Sequence, residues 1–180
     1  MTESEVVLGI DPGSHRCGYG AVARRGNRFV HVTHGVARAP QSAPLPERLA
    51  AIADEIERII RDAAPGSVAI EQAFFHRDAH AALVIGHARG VVMLLAARAG
   101  LPVAEYAPAA VKRSVVGTGK ADKEQVNGMV RAILGLAEPP PLDASDALAI
   151  AICHASAASV RTQIAAASSV LPRRTRRPAR

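Results

Sequence analysis

Four carboxylates stand against apolar segments. Asp11 closes the run Val6–Ile10, Glu71 closes the short run 67–70, and Asp143 and Asp146 open the stretch "DASDALAIAI". If the two runs are parallel neighbouring strands, Asp11 and Glu71 emerge at one sheet edge, where ligands bind in open α/β sheets. A spacing of three puts Asp143 and Asp146 on one helix face. Four carboxylates brought together repel, and without cations some of them stay protonated. Two divalent cations balance them in formal charge, and an all-oxygen set favours Mg²⁺ or Mn²⁺ over Zn²⁺. Two such ions about 4 Å apart can bridge a scissile phosphate, so the chemistry that suits this set is phosphoryl transfer. Plainer readings stand beside it. Asp11-Pro12-Gly13 also reads as a turn, Glu71 as a surface strand end, and Asp143 as a helix cap after three prolines. Asp146 also suits a helix N-terminus through the dipole. What singles these acids out is their recurrence as a set, each against an apolar run.

Such a set needs a scaffold. Val6–Ile10 has the pattern of a central strand buried on both faces. Segments 18–24 and 28–33 flank Gly26-Asn27, a hairpin signal. A helix is predicted over about 46–62, with Leu49, Ile52, Ile56 and Ile59 on one face, and Pro65-Gly66 breaks the chain. Segment 67–71 is a second parallel-type strand and "LPVAEY" a third. Between them a helix over about 79–99 carries small residues at Ala79, Ala82, Gly86, Gly90 and Ala97. Each interior glycine costs roughly 1 kcal/mol against alanine, which predicts close packing, onto the sheet or onto another subunit. Pro108 opens a short helix. Asp122 with Gln125 forms a capping box for a helix with Val126, Met129, Val130, Ile133 and Leu134 inward. The last helix begins at the two aspartates. A hairpin followed by strand–helix alternation gives an α/β layered fold with a mixed sheet.

Composition sets bounds. The 180 residues lack Trp and are nearly half apolar, which predicts one domain with a core of Ala, Val, Leu and Ile. No uninterrupted apolar run reaches the ~18 residues of a membrane span, and the acidic N-terminus carries no secretory pattern. Two cysteines without ligand-like spacing predict reduced thiols and a cytoplasmic protein. The net charge of +6 resides in one place: residues 161–180 hold six Arg and no acid. The chain therefore divides into a body over 1–160 and a basic, disordered tail over 161–180 suited to nucleic acid. The seven histidines are read as structural or solvated, and His15-Arg16-Cys17 as carrying little.

The motifs "LGIDPGS…GYG", "AIEQAFF", "ARGVVM", "VKRSVVGTGKADKEQV" and "DASDALAIAI", in that order, resemble the RuvC family of bacterial Holliday junction resolvases over about residues 5–158. These are crossover junction endodeoxyribonucleases of the ribonuclease H-like superfamily. The resemblance implies a mixed five-stranded sheet with helices on both faces. It implies that Asp11, Glu71, Asp143 and Asp146 bind two Mg²⁺ per active site, with Mn²⁺ able to substitute; some relatives carry His at the position of Asp143. The family's DNA-stacking aromatic falls on Phe74, with Phe75 left to the core, and its basic residues near the scissile phosphate fall on Lys112 and Lys123. Gly117 and Gly119 let their loop approach the DNA backbone closely. The resemblance also implies a homodimer, with helix 79–99 as its contact. That dimer nicks a four-way junction symmetrically to leave ligatable ends, prefers a short TT-like sequence, and works in recombination and repair with the RuvA-RuvB branch-migration complex.

Other classes compete. "GIDPGS" also resembles the phosphate loop of actin-like ATPases and sugar kinases, which need two such domains and a second phosphate loop not found in this chain. An RNA-processing relative of the YqgF type shares the first aspartate turn, but "IEQ", "DASDALAIAI" and the basic glycine loop favour the resolvases. A non-catalytic junction binder would have no need of all four acids.

Overall fold

Side-chain alternation along β1 (Val6–Asp11) divides the molecule in two. Val7 joins one apolar cluster, and Leu8 and Ile10 join another on the opposite side. This is what a continuous apolar run does when both faces of its sheet are covered. The computed structural model describes residues 5–72 and 79–170. β1 is central in a five-stranded sheet with β2 (Arg16–Arg25), β3 (Arg28–Arg38), β4 (Ser67–Glu71) and β5 (Val103–Tyr106), in the order β3-β2-β1-β4-β5. The β1–β2 and β2–β3 pairs are antiparallel, and the β1–β4 and β4–β5 pairs parallel. Helices α1 (Leu45–Ala63) and α2 (Ala79–Arg98) cover one face. Helices α3 (Pro108–Val116), α4 (Lys123–Leu134) and α5 (Leu142–Val170) cover the other. The mixed five-stranded α/β architecture expected from the sequence is the one observed.

Local chemistry explains the element ends. The β2–β3 turn carries Gly26 at φ 61°, a backbone region costly for residues with a Cβ. Ile52, Ile56 and Ile59 form the buried stripe of α1; each contributes roughly 1.5–3 kcal/mol. The helix stops at Ala64, in the left-handed conformation, just before Pro65-Gly66. α4 begins with both bonds of the capping box. The Gln125 N–H donates to Asp122 Oδ1 at 2.8 Å, and the Asp122 N–H donates to Gln125 Oε1 at 3.1 Å. One expectation for α4 fails: Met129 is 39% exposed, and Asn127 takes an inward place beside Val126 and Val130. The reason is polar. Asn127 Nδ2 donates to the Pro140 carbonyl at 3.0 Å and so holds the proline loop against the helix.

α5 lies directly on the sheet because three strand residues have no side chain. A Cβ on Gly9 would strike the Ala147 carbonyl and stand 2.7 Å from the Ala151 nitrogen. One on Gly18 would strike the Asp143 carbonyl, and one on Gly20 the Leu148 side chain. From Ala147 to Ala155 the helix is buried on every side, between the sheet and α3–α4. Its one buried histidine, His154, bonds the Tyr106 hydroxyl at 2.9 Å and the Ser67 hydroxyl at 3.3 Å, as a structural residue should. α5 continues to Val170, into the segment read from sequence as tail; residues 171–180 lie outside the described residues.

By length and composition α2 could cross a membrane, because its apolar positions are interrupted only by small residues, His and Arg89. In the fold it lies on the sheet through Ala88, Val92, Leu95 and Ala96. Its other side is open. Leu83 is 64% and Leu94 51% exposed, and a Cβ on Gly86 or Gly90 would meet nothing within 4 Å. The small-residue stripe therefore does not pack on the sheet. Leu83, Gly86, Gly90, Val91 and Leu94 instead line an apolar groove with Leu49 of α1.

Candidate active site

The β1–β4 register runs from Val7↔Ser67 to Ile10↔Ile70. The next step sets Asp11 beside Glu71 on adjacent parallel strands, where neighbouring chains lie about 4.8 Å apart. Both share the α5 face, since Asp11 alternates with Val7 and Gly9, and Glu71 with Ser67 and Ala69. Gly18, the β2 partner of Asp11, receives the backbone of Asp143. The first turns of α5 are thus set down over the same sheet edge that ends in Asp11 and Glu71.

Electrostatics register the convergence. Burial, followed by the charges of Asp146, Glu71 and Asp143, raises Asp11 from 3.8 to about 7. Glu71 is also raised, chiefly by burial and then by Asp146, while Lys123, Lys112 and Arg89 oppose the shift. Two acids hold cations. Arg16 Nε lies 2.6 Å from Asp143 Oδ2, and Lys123 Nζ lies 3.2 Å from Asp146 Oδ2. The Asp146 charge raises the Lys123 pKa in return. Among the described residues no three His, Cys, Asp or Glu side chains stand close enough to hold a metal ion as placed. Both ion pairs are partly exposed; such pairs are worth about 0–1 kcal/mol and exchange readily. Asp11 is half-buried, feels the charges of the other three acids and has no ion pair of its own among the described residues. The donor set is all oxygen, so a hard divalent cation fits it.

Lys112 of α3 and Lys123 of α4 therefore face the acids from the α3–α4 layer, as their effects on Glu71 show. Phe74 and Phe75 lie outside the described residues. Sequence reasoning missed two arginines. Arg16, passed over as carrying little, grips Asp143; the signal was available, since pairing Asp11 with Gly18 returns residue 16 to the same edge. Arg89 donates from Nη1 to the Glu71 carbonyl and from Nη2 to Glu105 Oε2 at 2.6 Å, fixing the end of β4. Nothing in the apolar pattern of α2 announces it. The thiols take no part: Cys17 and Cys153 are free and buried, and burial pushes Cys17 up to about 12.

A mixed sheet of this order, with acids ending β1 and β4 and opening the last helix, is the ribonuclease H-like arrangement expected from the sequence. The family model "Crossover junction endodeoxyribonuclease RuvC" matches residues 7–154, and the chain belongs to that family. The crossover junction endodeoxyribonuclease RuvC of Sorangium cellulosum is 50% identical over 170 residues, covering 94% of this chain and 95% of the relative. That of Desulfitobacterium hafniense is 48% identical over 163 residues, covering 90% and 99%. Among solved structures, T. thermophilus RuvC in complex with a Holliday junction substrate superposes with a TM-score of 0.83 at 40% identity, covering 88% of this chain and 97% of that one. The yeast mitochondrial resolvase Ydc2 shares the fold, with a TM-score of 0.65 at 12% identity, covering 93% and 87%.

Proposed function

We propose that this chain resolves four-way DNA junctions by paired, symmetric phosphodiester hydrolysis, acting as a cytoplasmic homodimer in recombination and repair. What supports the reading is the placement of Asp11 and Glu71 at the ends of adjacent parallel strands, with the start of α5, which carries Asp143 and Asp146, seated over the same sheet edge. The T. thermophilus relative's complex with a Holliday junction supports the substrate.

Asp11, Glu71, Asp143 and Asp146 are the residues that would hold two Mg²⁺ ions, or Mn²⁺ in their place. When bound, the cations supply a water deprotonated at neutral pH and offset charge on the phosphate and the leaving oxygen. The protein supplies the rest. Asp11 and Glu71 are fixed by the sheet, and Asp143 and Asp146 by the seat of α5 on Gly9, Gly18 and Gly20. Arg16 and Lys123, paired here with Asp143 and Asp146, would have to yield those acids to a bound cation. Lys123 then joins Lys112 in facing the phosphate, where a cation aimed at developing charge has most effect. Phe74, three residues past Glu71 in the chain, is assigned to stacking on an unpaired base at the junction. The loop at Gly117 and Gly119 follows the backbone.

The open apolar face of α2 supports the dimer, and a two-fold dimer suits a two-fold junction. A RuvA-RuvB branch-migration complex is the assigned partner in the cell. A synthetic junction with end-labelled strands tests the whole reading. Incubated with Mg²⁺ or Mn²⁺, it is expected to yield paired nicks at symmetric positions that ligase can seal, with matched duplex left intact. Equal cutting of duplex, or an uncut junction with every divalent cation tried, would sink it.

A further inference from the structure

Arg48, in the first turn of α1, is an unusual cation. Its Nη1 donates to Ser14 Oγ at 3.2 Å and to His15 Nε2, so its acceptors are a hydroxyl and a ring nitrogen. Its Nε is buried and has no hydrogen-bond partner. Among the described residues no carboxylate pairs with it. A guanidinium held in this way, with no carboxylate against it, keeps its charge for an anion that reaches the outer edge of the group.

Its place in the fold says which anion. Ser14 and His15 belong to the loop that follows Asp11, and the Ala39 N–H pins that loop by donating to the His15 carbonyl at 3.0 Å. Three residues of chain reach about 10 Å at most, so Ser14, itself buried, lies within that reach of Asp11. Lys112 and Lys123 approach the acids from the α3–α4 layer, and Arg48 comes from the α1 layer on the opposite face of the sheet. A DNA strand crossing this edge meets cations on both sides. The planar guanidinium fork suits a phosphate.

We infer that Arg48 is a phosphate ligand, binding a phosphate next to the one held at the acids and positioning the strand from the α1 side. This assignment rests on the nuclease reading above. Arg48 is a positioning residue and touches no reacting atom.

The test compares Arg48→Met, which keeps the methylene stem, with Arg48→Lys, which keeps the charge. Binding of a labelled four-way junction is followed against salt concentration without divalent cations. The methionine variant is expected to lose about 0.9 from the slope of log K against log salt, the share of one phosphate contact. Its KM for the junction should rise with kcat nearly unchanged. The lysine variant should recover the slope, and both should melt close to the wild type. A wild-type slope in Arg48→Met overturns the assignment. So does a slope lost equally in both variants together with melting temperature, because Arg48 is then only a clamp on the loop. If the wild type itself fails to prefer junction over duplex, it is the nuclease reading that falls.

Discussion

α5 and α2 are both built from small and apolar residues, and the fold uses them in opposite ways. Beneath α5 the glycines belong to the sheet, at positions 9, 18 and 20, and each is filled by the helix backbone or a leucine. On α2 the glycines belong to the helix, at 86 and 90, and face open space. Glycine in a receiving strand fixes a helix at one height, and here that height sets Asp143 and Asp146. Glycine on an unreceived helix face leaves a surface into which a second backbone can come close. The same residue type therefore marks a finished contact in one layer and an open one in the other.

The largest effect should come from filling the finished contact. Gly9→Val pushes a side chain into the Ala147 carbonyl and is expected to cost at least 3 kcal/mol or to prevent folding; chemical denaturation measures it, and near-native stability would show that α5 is not seated by the strand glycines. Next comes the charge that this contact imposes. Asp11→Asn should abolish cleavage and leave junction binding intact, as paired nicking and binding assays would show.

The same substitution carries a signed pH effect. Asp11 is raised from 3.8 to about 7 in the folded chain. Its stabilising contribution is therefore full below about pH 4, and is lost as pH rises through 7. Without divalent cations the wild type should lose melting temperature between pH 5 and 8 more steeply than Asp11→Asn; parallel curves would break the assignment of this charge. Millimolar Mg²⁺ at pH 8 should restore stability by RT ln(1 + [L]/Kd), about 2.7 kcal/mol at a hundredfold excess over Kd, and should do nothing for the asparagine variant.

The smallest effects belong to the open contact. Leu83→Gln with Leu94→Gln should leave the fold intact and shift sedimentation toward the monomer, because both side chains are exposed. Gly86→Ala should stabilise a monomer by up to about 1 kcal/mol through helix propensity alone. A destabilised monomer would mean that the α2 groove is already filled.

Much of this was legible from residue order. The run Val6–Ile10, the Gly26-Asn27 turn, the α1 isoleucines and the Asp122–Gln125 box each obey local rules, and the structure places them accordingly. Asp11 and Glu71 were legible as neighbours because each closes a short strand, and the structure pairs those strands in parallel. Arg16 was missed although the hairpin returns residue 16 to the edge of Asp11, because its partner Asp143 lies 127 residues away. Gly9, Gly18 and Gly20 were missed because a strand glycine reads as weakness until the helix above it is known. Asn127 was missed because a 3.6-residue pattern has no entry for a polar side chain that finds a carbonyl inside.

The seat of α5 also governs timing. Asp11 leaves the ribosome early, while Asp143 and Asp146 follow only after all five strands and four of the helices. Until the last helix docks, the nascent chain holds two acids of four and an uncovered strip of strand glycine. Contacts this distant in sequence form slowly. With the four acids in the role proposed above, completion of the fold and arming of the nuclease are a single event, and a chain broken off before residue 142 is expected not to cut DNA.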